Sequence, residues 1–459
     1  MRAAALIVSA LVVGVTACTP SGPDATSSSP SGQASAPATA AASTARGGLV
    51  ASWLAVPAGL DAVPLDVPRQ VLAPRGWQVA VWARVPDARL AAWTPDRTLL
   101  VSVPGAGKVV RLTPGTSGAP PTEQVLVDGL DQPHGLAFDG STLYVGESDE
   151  IIAYAYDRGR ISGRRVVAGG LPDAKSPDLH GHYAHALKSV AVGRDGWLYF
   201  SIGSTSNVSF NDRVASPQRA TIMRVRPTGG APEVYAVGVR NGTGLAVDPA
   251  GAVWTAVNNR DNVAYPYSRS YGGDGGSDQG QVLQQYVNDH PLEPLARLTP
   301  GRDLGWPYCN PDPDTDPGVR GSPLTYANRP FVRDIQTNPD GSRLDCGALP
   351  HVEQGLGAHS APLGLSFVQS SALPAPYQQG ALVGVHGSWN RQPPRAPEVS
   401  FFPWRNGTLG PQQTLLGGFQ AADGSRWGRP VMALLGPDGA IYATDDSAGA
   451  IYRMAPPQR

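Results

Sequence analysis

Three histidines fall within six residues at His180-Gly181-His182-Tyr183-Ala184-His185. Imidazoles at that density could ligate a metal. One of them could instead serve as a general base, since histidine titrates near neutral pH. A polar loop without chemistry is the plain alternative. The base is the preferred reading, and His185, nearest the apolar run that follows, is the candidate. His134 stands at the matching place before an earlier run, as a second site-facing imidazole or a satisfied turn histidine. Gly238-Val239-Arg240-Asn241-Gly242 sets a forked cation beside an amide, which suits a carboxylate-bearing ligand or a surface turn. Asn258-Asn259-Arg260-Asp261 offers oxygens of the kind Ca2+ takes, without EF-hand spacing. In His386-Gly387-Ser388-Trp389-Asn390-Arg391 and Arg426-Trp427-Gly428-Arg429, arginine neighbours an indole. That suits a flat anionic ligand or a sugar face; a structural tryptophan is the alternative. There is no G-x-S-x-G elbow and no H-E-x-x-H, and Gly105-Ala106-Gly107-Lys108 lacks phosphate-loop spacing.

The elements that must position these residues repeat. Small apolar residues lead into an Asp-Gly or similar turn, then an alternating apolar strand, then another turn and strand. Copies begin near Leu90, Gly135, Ser189, Gly244, Leu363 and Val431. Short strands with period-2 alternation and Gly/Asp/Pro punctuation are β structure. Six such copies predict an all-β six-bladed propeller at about 68 residues per blade, with a pair of β-sandwiches as the rival. The spacing between copies four and five is far larger than the rest. The excess, roughly Ala264 to Gly357, reads as a long insertion on the face that carries the site. Each candidate above lies where a blade's loops would converge on the central channel.

Composition agrees. The chain has 459 residues with 55 Gly and 45 Pro, which excludes long helical bundles. A formal charge of −1 argues against a nucleic-acid partner. Lysines number three, Lys108, Lys175 and Lys188, so nearly all cations are arginine. At the N-terminus, Met1-Arg2 and the apolar run Ala3 to Val15 have signal-peptide proportions. Val15-Thr16-Ala17-Cys18 resembles a bacterial lipoprotein box, which implies a signal peptide over 1–17, lipidation of Cys18 and export to the outer face of the cell membrane. Residues 18–48, rich in Ser, Ala and Pro, read as a disordered tether, and 49–459 as the propeller. The anchor is the expected membrane contact. Two further thiols in an exported domain, Cys309 and Cys346, suggest one disulfide.

Several long stretches then carry a resemblance. They are His185-Ala-Leu-Lys-Ser-Val-Ala-Val-Gly-Arg-Asp195-Gly, Gly238-Val-Arg-Asn-Gly-Thr-Gly-Leu-Ala-Val-Asp-Pro, Gly305-Trp-Pro-Tyr-Cys, His359-Ser-Ala-Pro-Leu-Gly-Leu, Gly387-Ser-Trp-Asn-Arg391 and Gly428-Arg-Pro with Asp445-Asp-Ser-Ala-Gly-Ala-Ile-Tyr-Arg453. The chain resembles the soluble quinoprotein glucose/sorbosone dehydrogenases, in its sorbosone-dehydrogenase-like branch, and is similar to pyrroloquinoline quinone (PQQ)-dependent pyranose dehydrogenases. The resemblance implies PQQ and Ca2+ as cofactors, a small sugar as substrate and an external electron acceptor. It implies oxidation of an aldose or sorbosone-like sugar at its anomeric or aldehyde carbon. His185 would be the base, and Arg240 would contact the quinone and stabilise developing charge. Asn241, Arg391, Arg426, Arg429 and His134 would complete the cofactor site. Ca2+ would fall on Asn259, Arg260 and Asp261, the first two through backbone carbonyls. The resemblance departs where the glucose enzymes carry a cofactor-contacting Lys; counting places Gln369 there, with Arg391 as a substitute cation. Two other functions fit a propeller: a carbohydrate- or partner-binding module without turnover, and a Ca2+-dependent lactonase. The lactonase wants several channel carboxylates, and Asp261 is the obvious one.

Overall fold

The structure is a computed structural model and describes residues 48–457. The signal segment 1–17, Cys18 and all but the last residue of the tether lie outside the described residues. The fold is a six-bladed β-propeller, each blade an antiparallel sheet of four main strands. Blade 1 spans strands from Ala91–Trp93 to Thr122–Val127, and blade 2 from Leu136–Asp139 to Arg160–Ala168. Blade 3 runs from Val190–Val192 to Glu233–Val237, blade 4 from Gly244–Val247 to Gln354–Leu356 and blade 5 from Pro362–Gln369 to Gln413–Leu416. Blade 6 takes Pro430–Leu435, Ile441–Asp445 and Ala450–Ala455 from the C-terminal end, and its outer strand Gln78–Arg84 from before blade 1. Val79 pairs with Met454 and Val81 with Tyr452. The ring is thereby closed by hydrogen bonds between the two ends of the propeller sequence, and Ala450–Ala455 is not left as a bare edge.

Burial follows strand order. The second strands Leu99–Val103, Leu198–Ile202 and Ile441–Asp445 are buried at every residue, because each is covered on both faces by neighbouring blades. That explains their continuous apolar runs, where a half-exposed strand would alternate. The outer strand Arg160–Ala168 is mostly exposed, apart from Val167 and Ala168. Near the axis the backbones come closest. A Cβ on Gly135 would lie 2.5 Å from Val190 N of the next blade, so glycine is needed there.

The long insertion resolves into two segments inside blade 4. Residues 257–292 separate its second and third strands, and residues 299–353 separate its third, Glu293–Leu298, from its last. The second segment adds Arg302–Asp303 in parallel to the edge of blade 3. It then forms a hairpin of Cys309–Pro311 with Phe331–Arg333. Cys309 and Cys346 are joined in a disulfide, with Cα atoms 5.6 Å apart.

Candidate active site

Each innermost strand runs from one end of the channel to the other, so the loop residues one to five positions before it mark one common face. All six blades carry a basic or imidazole side chain among them. Arg89 stands before Ala91, His134 before Leu136, His185 before Val190, Arg240 before Gly244, His359 before Pro362 and Arg429 before Pro430. The Asp-Gly turns occupy the opposite face.

His185 is held by the end of the neighbouring strand. Its Nδ1 lies 2.9 Å from both Ser204 O and Ser204 Oγ, and Ser204 Oγ donates to Ser206 O at 2.8 Å. A carbonyl oxygen only accepts, so the proton sits on Nδ1 and the lone pair on Nε2. Burial, and then the charge of Arg240, push the His185 pKa down to about 4. It is a neutral base at physiological pH. Gly203 makes this packing possible, because a Cβ there would meet His185 Cβ at 2.5 Å and stand 3.4 Å from Asn241 Oδ1. Ser204 N donates to Arg240 O at 2.7 Å, which ties base and cation to one backbone segment. A hollow of about 510 Å3 lies on the adjoining loops, lined by His182, Thr205, Ser206 and Ser209 among others but not by His185, Ser204 or Arg240.

Arg240 is 4% exposed. Its Nη1 donates to Asn258 O at 3.1 Å, and its Nη2 to Asn207 Oδ1 and Asp261 Oδ2 at 3.2 Å each, while Nε has no partner. Asp261 also stands 3.5 Å from His359 Nδ1 and accepts from Asn390 Nδ2 at 3.4 Å. Asn207 braces the pair, accepting from Asp261 N at 2.9 Å. Behind them sits Glu293, 1% exposed, with Oε2 unpartnered. Burial, and then the Asp261 carboxylate, hold it well above the usual carboxylate range.

Across the channel, Asp446 binds Arg89 at 2.6 Å and His386 Nε2 at 2.8 Å. His134 is fully buried. Its Nδ1 lies 3.3 Å from Lys188 O and its Nε2 has no partner; burial pushes its pKa down to about 3. Arg429 donates to His386 O at 2.9 Å and lies near enough to Arg426 to feel its charge. Arg426 is held by Gln420 Oε1 and the carbonyls of Ser388 and Arg395.

The candidates are therefore not all equivalent. His185, Arg240, Asn241 and Asp261 form one group; His134, Arg426 and Arg429 lie on the far arc. Arg391 turns toward the blade 4 insertion, donating to Asn288 O at 2.9 Å and Pro393 O at 3.0 Å. Asn259 Nδ2 donates to Leu292 O at 3.3 Å, and the Arg260 guanidinium is bound by Asp334 and Gln336. Among the described residues, nothing donates a hydrogen bond to the backbone carbonyls of Asn259 and Arg260. Gln369 ends its strand, exposed and paired with Gln379. Seven residues of strand, about 23 Å, separate it from the end nearest the site, so the Lys-to-Gln departure does not touch the mouth. Ser204, Asn207, Glu293, Arg89 and Asp446 were not singled out from the sequence. Arg89 had a signal, its place just before an innermost strand; Ser204 and Asn207 had none, lying past the end of a strand in an ordinary polar loop.

Cations and imidazoles thus ring one end of the propeller channel, the neutral imidazoles of His185 and His134 among them. The TrAA12-like family profile matches residues 71–456. The chain belongs to that family. It is 24% identical over 309 residues to the pyrroloquinoline quinone-dependent pyranose dehydrogenase of Coprinopsis cinerea, a match of 62% of this chain and 38% of that protein. It is 24% identical over 338 residues to an uncharacterized protein of Borreliella burgdorferi, 71% of this chain and 76% of that one. Its fold resembles the holo form of the C. cinerea pyranose dehydrogenase PQQ domain (TM-score 0.67, 19% identity, 84% of this chain and 97% of that one). It also resembles the calcium structure of a Trichoderma reesei family AA12 enzyme (TM-score 0.64, 20% identity, 84% and 96%).

Proposed function

We propose that this chain is a PQQ-dependent sugar dehydrogenase, oxidising an aldose or sorbosone-like sugar at the anomeric or aldehyde carbon. The observation that carries the reading is His185: a half-buried, neutral imidazole whose tautomer is set by Ser204, beside the Arg240 guanidinium. The site residues fit the cofactor. PQQ is a tricarboxylic acid; among the described residues the mouth holds the unpartnered buried donors Arg240 Nε and Arg89 Nε, and beside them the part-buried guanidiniums of Arg426 and Arg429. The unbonded carbonyls of Asn259 and Arg260, next to the Asp261 carboxylate, are oxygen donors of the kind Ca2+ takes. PQQ, when bound, supplies two-electron acceptance and passes the electrons to an external acceptor. The chain's own work is to orient the sugar hydroxyl, receive its proton at His185 Nε2 and hold fixed positive charge at Arg240 where negative charge develops. Trp389, 74% exposed between Ser388 and Asn390, offers an indole face to a sugar ring. Export and anchoring through a lipid on Cys18 complete the proposal and place the enzyme outside the cell.

The test is a titration of the purified protein with PQQ and Ca2+, followed by a panel of aldoses. Saturable binding with sugar-dependent reduction is expected, and His185→Ala should abolish reduction while binding persists. No binding at micromolar PQQ would overturn the reading. Turnover that survives His185→Ala would remove the base.

A further inference from the structure

A second constellation lies in the blade 4 insertion. His290 follows a one-turn helix, Gln284–Val287. Asp312 and Asp314 follow the strand Cys309–Pro311. In Pro311-Asp312-Pro313-Asp314 the prolines favour an extended chain at the residues before them, and alternate residues of an extended chain share a side. All three side chains are buried, at 2%, 3% and 2% exposure. His290 Nδ1 lies 2.9 Å from Tyr286 O, which can only accept, so Nδ1 carries a proton. The Tyr286 ring stacks on the imidazole at 3.9 Å and fixes its plane. Nε2 therefore points between the carboxylates, 3.5 Å from Asp312 Oδ1 and 3.3 Å from Asp314 Oδ2, yet it makes no hydrogen bond. The carboxylates are themselves oriented. Tyr267 Oη donates to Asp312 Oδ2 at 2.7 Å, and Gly318 N to Asp314 Oδ2 at 3.2 Å.

We propose that His290, Asp312 and Asp314 hold a structural divalent transition-metal ion of the Zn2+ class. The three donor atoms lie within 4.8 Å of one another. Metal bonds of about 2.0–2.1 Å at tetrahedral angles put ligand atoms about 3.3 Å apart, which matches the separations from Nε2. A ligating histidine whose other nitrogen donates to a backbone carbonyl is the usual outer-shell arrangement. An imidazole in a three-ligand set favours Zn2+ or a first-row neighbour over Ca2+, which collects six to eight oxygens. Two buried carboxylates also need a cation, and the rival is an imidazolium on His290 itself. The ion would brace the catalytic face from one layer back. Val287 O accepts from His359 Nε2 at 2.7 Å, and Asn288 O accepts from Arg391 Nε at 2.9 Å.

This proposal is independent of the dehydrogenase reading, because its test uses protein free of PQQ and sugar. Metal content is measured on the protein as isolated and after dialysis against EDTA, followed by back-titration with Zn2+ and Co2+. About one equivalent is expected, with a rise of several degrees in melting temperature on adding Zn2+. Added Co2+ should give d–d absorption bands of a low-coordinate site. His290→Gln and Asp314→Asn should each lose the equivalent and the temperature shift. Asp131→Asn, in a separate acidic cluster, should keep both. No stoichiometric metal in the wild type, before or after titration, would overturn the proposal in favour of the imidazolium. An equivalent retained by a folded His290→Gln variant would also overturn it. If the variants fail to fold, the wild-type titration alone decides.

Discussion

The two ends of the channel use similar residues in opposite ways. On the turn face, aspartates are saturated. Asp248, 2% exposed, accepts from Ala250 N, Ala252 N and Trp254 Nε1 at 2.8–2.9 Å. Asp195 accepts from Tyr199 Oη at 2.6 Å, and Asp438 from Tyr442 Oη at 3.1 Å. Turn and second strand are clasped together in three blades by the same device. On the mouth face, buried polar atoms are left without partners: Arg240 Nε, His134 Nε2 and Glu293 Oε2. Unpaired buried polar groups cost stability, and they collect where a ligand would pair them. One face holds the blades together and the other is prepared for chemistry, with an innermost strand of three to eight residues between them.

Substitutions can break that contrast, from large effects to small. His185→Gln removes the base but keeps a hydrogen-bonding side chain. Steady-state turnover should fall about 10²–10⁴-fold with little change in denaturation midpoint. Arg240→Met removes the buried cation and leaves Asp261 without it. PQQ affinity should weaken about 100-fold or more, near 3 kcal/mol, as read by absorbance titration. Because Arg240 helps hold the His185 pKa down, residual activity in that variant should lose its acid limb at a higher pH.

Asp248→Ala tests the opposite face. It strands three donors and should cost about 2–3 kcal/mol in urea unfolding, with kcat of the folded enzyme unchanged. The pH dependence sharpens the comparison further. His185 and His134 have folded pKa values, about 4 and about 3, below the ordinary 6.5. Between pH 6.5 and about 4 the unfolded chain binds protons that the fold refuses. Stability therefore falls with pH across that window, by up to about 1.4 kcal/mol per pH unit for each histidine. His185→Gln should flatten that slope by one such share. The smallest effect is expected at Asp438→Asn, because this carboxylate and its Arg453 partner are each 38% exposed; about 0.5–1 kcal/mol should be lost.

Much of the fold was legible because a propeller blade is a local repeat. Strand, turn and strand follow one another in sequence, and the six copies read from the chain coincide with the six blades. The closing strand Gln78–Arg84 was not legible, since its partner lies more than 360 residues away, at Ala450–Ala455. The insertion was seen as excess length. That it falls inside blade 4 was hidden, because Glu293–Leu298 and Gln354–Leu356 are short strands separated by long irregular loops. Counting along the chain placed Gln369 without showing that it ends its strand away from the mouth. A spacing taken from relatives says nothing of which end of a strand a residue occupies.

The sequence by itself determined the repeat, and with it the number of blades and the place of His134, His185, Arg240 and Arg429 ahead of their innermost strands. Those are properties of short segments, set by alternation, turn chemistry and apolar runs. Tertiary structure alone decided the state of the site. Ser204, nineteen residues from His185, sets which ring nitrogen carries the proton. Arg240, Asn207 and Asp261 meet from three separate loops, and the Glu293 carboxyl is pushed above its ordinary range because the packed blades exclude water from it. Protonation and charge depend on solvent exclusion and on neighbours distant in the chain, and both arise only when the ring closes.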